Sequence, residues 1–195
     1  MKNLISYEDF LKESVFSDEG QVVIFPGRYM PCHLGHIAAF KRAFEEFGVP
    51  VIPIQIISKN EKSPFPDTLL QKIGDAITGE FSFLADFLIY PQSKKTVVPQ
   101  MVLHVREELG YEPIGMGCGS DRVKSYEPQI KYINSEKSDV KTIQPFELKM
   151  VDVRLPDGPS GTKVREAIAA GDEDAFKRMT PSSIHRYYKE LKKYL

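Results

Sequence analysis

Two cysteines in 195 residues are too few to staple a fold, which excludes the small disulfide-built secreted domains and leads us to expect two reduced thiols. Charge of one sign is also missing. Twenty-six Lys and Arg against 27 Asp and Glu leave a net charge of −1, so no global basic field argues for nucleic acid. No apolar run approaches the roughly 18 residues of a membrane span, and Met1 to Asp9 lacks the apolar centre of a signal peptide. A cytoplasmic location is the expectation. Internal repeats and low-complexity segments are absent as well. What remains, at 42% hydrophobic and 27% charged, is the composition of an ordinary globular chain long enough for one sizeable core.

The chain alternates strand and helix signals. Gln21 to Phe25 is a short β-branched run, and Leu34, Ile37, Phe40, Phe44 and Phe47 then recur at helical spacing until Gly48-Val49-Pro50. Val51 to Ile57 is a second strand, with Pro53 expected near its start or at a bulge. Asp67 to Thr78, with Gly79 beyond it, and Val97 to Leu109, closed by Gly110, read as helices. His104 in the second of these reads as a packing or surface residue. Phe83 to Tyr90 and Glu112 to Cys118 read as strands, and one of Thr142 to Phe146 or Leu148 to Val153 as the last. This order predicts an α/β chain: a Rossmann-like, doubly wound parallel sheet followed by a C-terminal helical tail. Residues 1–20 hold a short amphipathic helix over positions 4 to 16. Residues 21–155 form the core, and 156–195 carry a second motif and the closing helices, including one from Ser182 to Tyr194, within the same domain.

Two stretches carry chemistry. In the first, Gly27-Arg28-Tyr29-Met30-Pro31-Cys32-His33-Leu34-Gly35-His36, two histidines stand where a strand turns into a helix. Backbone N–H groups and the positive helix end favour phosphate there, and residues three apart in a first turn share a face. His33 and His36 can each offer a hydrogen bond to a phosphoryl oxygen, and Gly35 leaves room for a ligand to approach. Two other readings stay open from these residues alone: ordinary satisfied polar histidines, or half of a zinc site with Cys32. In the second stretch, Pro156 to Ile168, Ser160 or Thr162 caps a helix that also brings Gly161, Lys163 and Arg165 to its start, a second anion site. Lys59 and Lys62 follow the second strand at the sheet edge where open α/β sheets bind ligands. Gly119 and Asp121 follow the fourth, and Asp121 is also placed to cap the next helix.

The first stretch resembles the HxGH signature of the nucleotidyltransferase superfamily, and Arg28-Tyr29 after the first glycine looks like its nicotinamide mononucleotide (NMN) adenylyltransferase branch. Met30 and Cys32 stand where that branch often has Gln and an aromatic. Ser160-Gly161-Thr162-Lys163-Val164-Arg165 resembles the superfamily's second signature. Cys118-Gly119-Ser120-Asp121 resembles the turn that lines its acceptor side, and Ser63-Pro64-Phe65 its Asn-Pro-Phe. The resemblance covers roughly residues 21 to 190. It implies transfer of an adenylyl group from ATP to NMN with release of pyrophosphate, forming NAD. His33, His36 and Arg165 would be catalytic. Gly27, Arg28, Tyr29, Met30, Gly35, Ser160, Gly161, Thr162 and Lys163 would bind the nucleotide and its phosphates, and Lys59, Gly119 and Asp121 the acceptor. Mg2+ would arrive with ATP and need no protein side chain as ligand. A homo-oligomer is a further expectation, since the family is often oligomeric. Three alternatives stay open: an adenylyl- or cytidylyltransferase with another phosphorylated acceptor, a nucleotide-binding module without turnover, and a nucleic-acid-binding protein, which the missing basic stripe disfavours.

Overall fold

Strand β1 (Gln21–Gly27) is buried on both sides: Val22 and Ile24 face one apolar layer, Val23 and Phe25 the other. A strand covered on two faces needs apolar side chains at successive positions, which is the signature of a parallel sheet between helical layers. The computed structural model describes residues 20–57, 64–91, 97–151 and 158–195. The helix expected over positions 4 to 16 and the loop bearing Lys59 and Lys62 lie outside them.

Strands β2 (Val51–Ile57), β3 (Leu88–Pro91), β4 (Glu112–Cys118) and β5 (Glu147–Met150) complete a five-stranded sheet in the order β3-β2-β1-β4-β5, every pairing parallel. The doubly wound expectation holds. Helices α1 (Leu34–Phe47) and α2 (Asp67–Glu80) bury Ile37, Phe40, Leu70 and Ile73 with Val23 and Phe25. On the other face, α3 (Val98–Leu109) and α4 (Val123–Ile133) bury Met101, Val102, Ile130 and Ile133 with Val22, Ile24 and Met116. The chain moves outward from β1 to β3 and then crosses to β4 on β1's far side. The crevice between the carboxyl ends of β1 and β4 is therefore the switch point at which such sheets bind ligands.

Helix α5 (Gly161–Ala170) and α6 (Glu173–Met179) follow, then a 3-10 turn at Ser182–Tyr187, α7 (Tyr188–Leu191) and a last 3-10 turn at Lys192–Tyr194. The single helix expected over Ser182 to Tyr194 is thus broken into short turns. Glu80, the last residue of α2, fixes the first turn from outside by accepting from the backbone N–H and Oγ of Ser182 and the N–H of Ser183. Ile184, Tyr188 and Leu191 still share one buried face with the α1–α2 layer.

Three other boundaries differ from the expectation. Helix α2 runs through Gly79 and ends at Glu80, with Phe81 as its C-cap, because nothing obliges a helical glycine to stop a helix. The apolar run from Phe83 gives only four ladder residues. Leu84 makes a single bridge to Val51, and Phe87 is spent packing on α2. Pro53 falls in the resulting gap: β3 pairs with β2 only from Ile54 onward, so the missing N–H costs no ladder bond. The N-cap position of α4 is Arg122, one residue beyond Asp121, and the Arg122 side chain makes no capping bond.

Two glycines of α2 should respond oppositely to alanine. A Cβ on buried Gly74 would lie 2.4 Å from Cδ1 of Phe87, whereas one on Gly79 would meet nothing within 4 Å. In urea unfolding, Gly79→Ala should add about 0.5–1 kcal/mol through helix propensity. Gly74→Ala should lose about 1–2 kcal/mol, because overpacking outweighs the same gain.

Candidate functional site

The turn after β1 is built on Tyr29. Its ring is buried, stands edge-on to His36, Phe40 and Phe87, and folds back under Gly27, while its hydroxyl donates to the Phe25 carbonyl. A Cβ on Gly27 would sit 2.4 Å from Cε1 of that ring, so the glycine makes room for the protein's own tyrosine. Gly35 works in the same way. A Cβ there would lie 3.1 Å from the His33 ring and 3.5 Å from the Pro159 carbonyl. The space expected for a ligand at Gly35 is filled by His33 and by the approach of the second motif.

Helix α1 starts at His33, whose extended backbone occupies the N-cap position. The His33 backbone N–H donates to Nδ1 of His36 at 3.2 Å. That bond settles the His36 tautomer: an accepting Nδ1 carries no proton, so Nε2 does, and it is available as a donor. The two rings stack with centroids 3.6 Å apart. His33 lies beneath, 7% exposed, and its buried Nδ1 has no hydrogen-bond partner. Burial lowers the His33 pKa to about 4. Burial, with the neighbouring His33 second, holds His36 well below the usual imidazole value. Both rings are neutral at pH 7, so they offer N–H dipoles. Cys32 is fully buried and its thiol is pushed far up by that burial. It is no source of thiolate.

Helix α5 delivers the second motif. Of the two expected caps, Ser160 is the one used: its hydroxyl accepts from the Lys163 N–H. Arg165 reaches across to the first motif, donating from Nη1 to the Met30 carbonyl at 2.7 Å, a contact between residues 135 apart in sequence, and from Nη2 to Thr162 Oγ1. Gly161 permits this approach, since a Cβ would lie 3.3 Å from both the Met30 oxygen and Arg165 Nη1.

Together these elements enclose a cleft of about 220 Å³ lined by Arg28, Tyr29, Met30, His36, Gly161, Thr162 and Arg165. That is smaller than the roughly 300–1,000 Å³ of sites holding a whole organic ligand, and it suits the phosphate end of one. Two guanidiniums, a hydroxyl and a neutral imidazole N–H face it, a donor set for an anion. His33, Ser160 and Lys163 stand outside the lining. His33 backs His36, Ser160 holds the helix start, and the exposed Lys163 donates to the Gly158 carbonyl. Gly119 and Asp121 lie at the carboxyl end of β4, across the switch point, where Asp121 pairs with Arg122. Gln55 escaped the sequence reading. It is buried in β2 and its Nε2 donates to the Tyr29 carbonyl; an amide alone in an apolar strand was the signal.

A pH dependence follows from the buried histidines. Unfolded, each ring binds a proton near pH 6.5; folded, His33 resists protonation down to about pH 4. The unfolded chain therefore holds more protons below neutrality, and stability must fall as pH falls. Melting temperatures measured from pH 7.5 to 5.5, above the carboxylate range, should decline. His33 alone should contribute a slope approaching about 1.4 kcal/mol per pH unit below its unfolded pKa, and His33→Asn should flatten the decline.

No family model matches the chain, and no curated protein matches it in sequence. Solved structures do. A Vibrio parahaemolyticus protein assigned as a nicotinate-nucleotide adenylyltransferase superposes with a TM-score of 0.56 at 11% identity, over 87% of this chain and 98% of its own. The Plasmodium falciparum nicotinic acid mononucleotide adenylyltransferase, complexed with NaAD, gives 0.56 at 15% identity over 90% and 98%. The same enzyme complexed with APC gives 0.57 at 13% identity, with the same coverage. This chain thus has the fold seen in the nicotinate-nucleotide adenylyltransferases, over 87–90% of its length and at low sequence identity.

Proposed function

We propose that the protein transfers an adenylyl group from ATP to a pyridine mononucleotide, with NMN the first acceptor to test, and releases pyrophosphate. The observation that supports this most directly is the meeting of two motifs in one cleft: His36, with its Nε2–H free to donate, and Arg165, anchored on the Met30 carbonyl. In the reaction an acceptor phosphate oxygen attacks the α-phosphorus of ATP in line. The bond to the α–β bridging oxygen breaks, and that oxygen leaves with its electron pair on pyrophosphate. No covalent enzyme intermediate is needed; positioning and charge stabilisation carry the rate.

The roles follow from the placement. His36 donates to an α-phosphate oxygen as negative charge builds there, and His33 supports it from behind. Arg165, Arg28 and Thr162 bind the departing β- and γ-phosphates. Gly119 and Asp121 face the acceptor; Lys59, which the resemblance also assigns to it, lies outside the described residues. Among the described residues no carboxylate lines the cleft, so these residues fit a magnesium ion carried in on the phosphates better than one caged by protein. When bound, the ion would neutralise phosphate charge.

Arg28-Tyr29 supports the nicotinamide form of the acceptor, whereas the proteins that share the fold are named for the nicotinate form. Pyrophosphate release should therefore be measured with ATP, magnesium and each acceptor in turn. Release that requires NMN supports the first reading, and release with the nicotinate mononucleotide favours the second. ATP binding without pyrophosphate from any acceptor would leave a non-catalytic binding module. His36→Ala should lower turnover about 10²–10³-fold, the usual loss for one preorganised oxyanion donor, or roughly 3–4 kcal/mol. Arg165→Lys should raise the KM for ATP, because an ammonium cannot hold the Met30 carbonyl and a phosphate with one planar fork.

A further inference from the structure

Six of the seven residues of β2 are apolar; Gln55 is the exception, and it is 1% exposed. A primary amide in that place is costly unless it is hydrogen-bonded, and methionine would fill the same volume without the cost. The register sets Gln55 between Gly27 of β1 and Ile89 of β3, directly under the turn that carries the first motif. Its Nε2 donates at 3.1 Å to the carbonyl of Tyr29, 26 residues earlier. The next carbonyl, that of Met30, is the one that receives Arg165. Two successive carbonyls of the turn are therefore held by different elements, one from β2 and one from α5. The Tyr29 hydroxyl adds a third tie, to β1.

We propose that Gln55 is a positioning residue for the cleft: its amide fixes the Tyr29–Met30 peptide so that Met30 presents its carbonyl to Arg165. Gln55 does not line the cleft and touches no reacting atom. Its effect passes through the turn, which carries Arg28 and Tyr29 and anchors the guanidinium. The proposal rests on the nucleotide reading only for its second readout.

Hydrogen exchange on the full chain gives the first. Gln55→Met should speed exchange in the segment Arg28 to Cys32 about tenfold or more and leave β1 and β2 within twofold of the native rates. Unchanged exchange in that segment, or acceleration spread evenly over the sheet, would overturn the proposal, since a core-filling amide does no more than that. The second readout is the dissociation constant for magnesium–ATP, expected to rise about tenfold in Gln55→Met; an unchanged constant beside a native chain that binds would also count against it. If the native chain binds no ATP, the nucleotide reading fails while the exchange result still decides the role of Gln55. Gln55→Glu covers the case in which the methionine variant does not fold. Its carboxyl can donate to the Tyr29 carbonyl only when protonated, so segment exchange corrected for intrinsic rate should slow as pH falls, in this variant and not in the native chain. Absence of that difference would refute the positioning role.

Discussion

The structure depends on the burial of β1 from both sides. With Val22 and Ile24 in one apolar layer and Val23 and Phe25 in the other, this strand has no face on which a polar group could be solvated. Its neighbours on both edges are parallel strands. Polar chemistry must therefore begin where the strand ends. From Gly27 onward the backbone leaves the sheet, and within nine residues the chain places a guanidinium, a phenol and two imidazoles. Past the buried stretch Val22 to Pro26, the site is where water, or a charged ligand in its place, can again reach the chain.

Within the site, the protein's own side chains occupy most of the room that glycines provide. Gly27 admits the Tyr29 ring, Gly35 the His33 ring, and Gly161 the Met30 carbonyl with Arg165. The effect is close packing of rigid donors. A tyrosine pinned at its hydroxyl, an imidazole fixed in one tautomer and an arginine held on a carbonyl need little reorganisation when an anion arrives, which is where electrostatic stabilisation gains its strength.

Much of this was legible in the sequence. Glu112 to Cys118 and Val51 to Ile57 announced themselves as strands because both of their faces are buried, and α1 because Ile37, Phe40 and Phe44 keep helical spacing. The two motifs were legible because helix starts that present donors need glycine and hydroxyl residues at fixed offsets. What the sequence hid were contacts between distant positions. Phe83 to Phe87 looks like strand, yet Phe87 is committed to Gly74 of α2. Ser182 onward keeps the apolar spacing of a helix, yet its geometry answers to Glu80, about a hundred residues earlier. His33 resembles its partner in every local respect, and only the stacked arrangement shows which ring faces the cleft. Gln55 carried a local signal, an amide in an apolar strand, but its partner could not be read from the spacing.

The C-terminal segment is part of the core. Val164, Ile168, Phe176, Ile184, Tyr188 and Leu191 are buried in the same cluster as Val23 and Phe40. During synthesis the sheet and its four flanking helices are made first, and one side of them stays uncovered until residue 191 has left the ribosome. The nascent chain spends that interval with apolar surface uncovered, and Arg165 can meet Met30 only once α5 has emerged. Assembly of the cleft is thus tied to the order of translation: the half that contributes His36 is made first, and the half that contributes Arg165 docks on it afterwards.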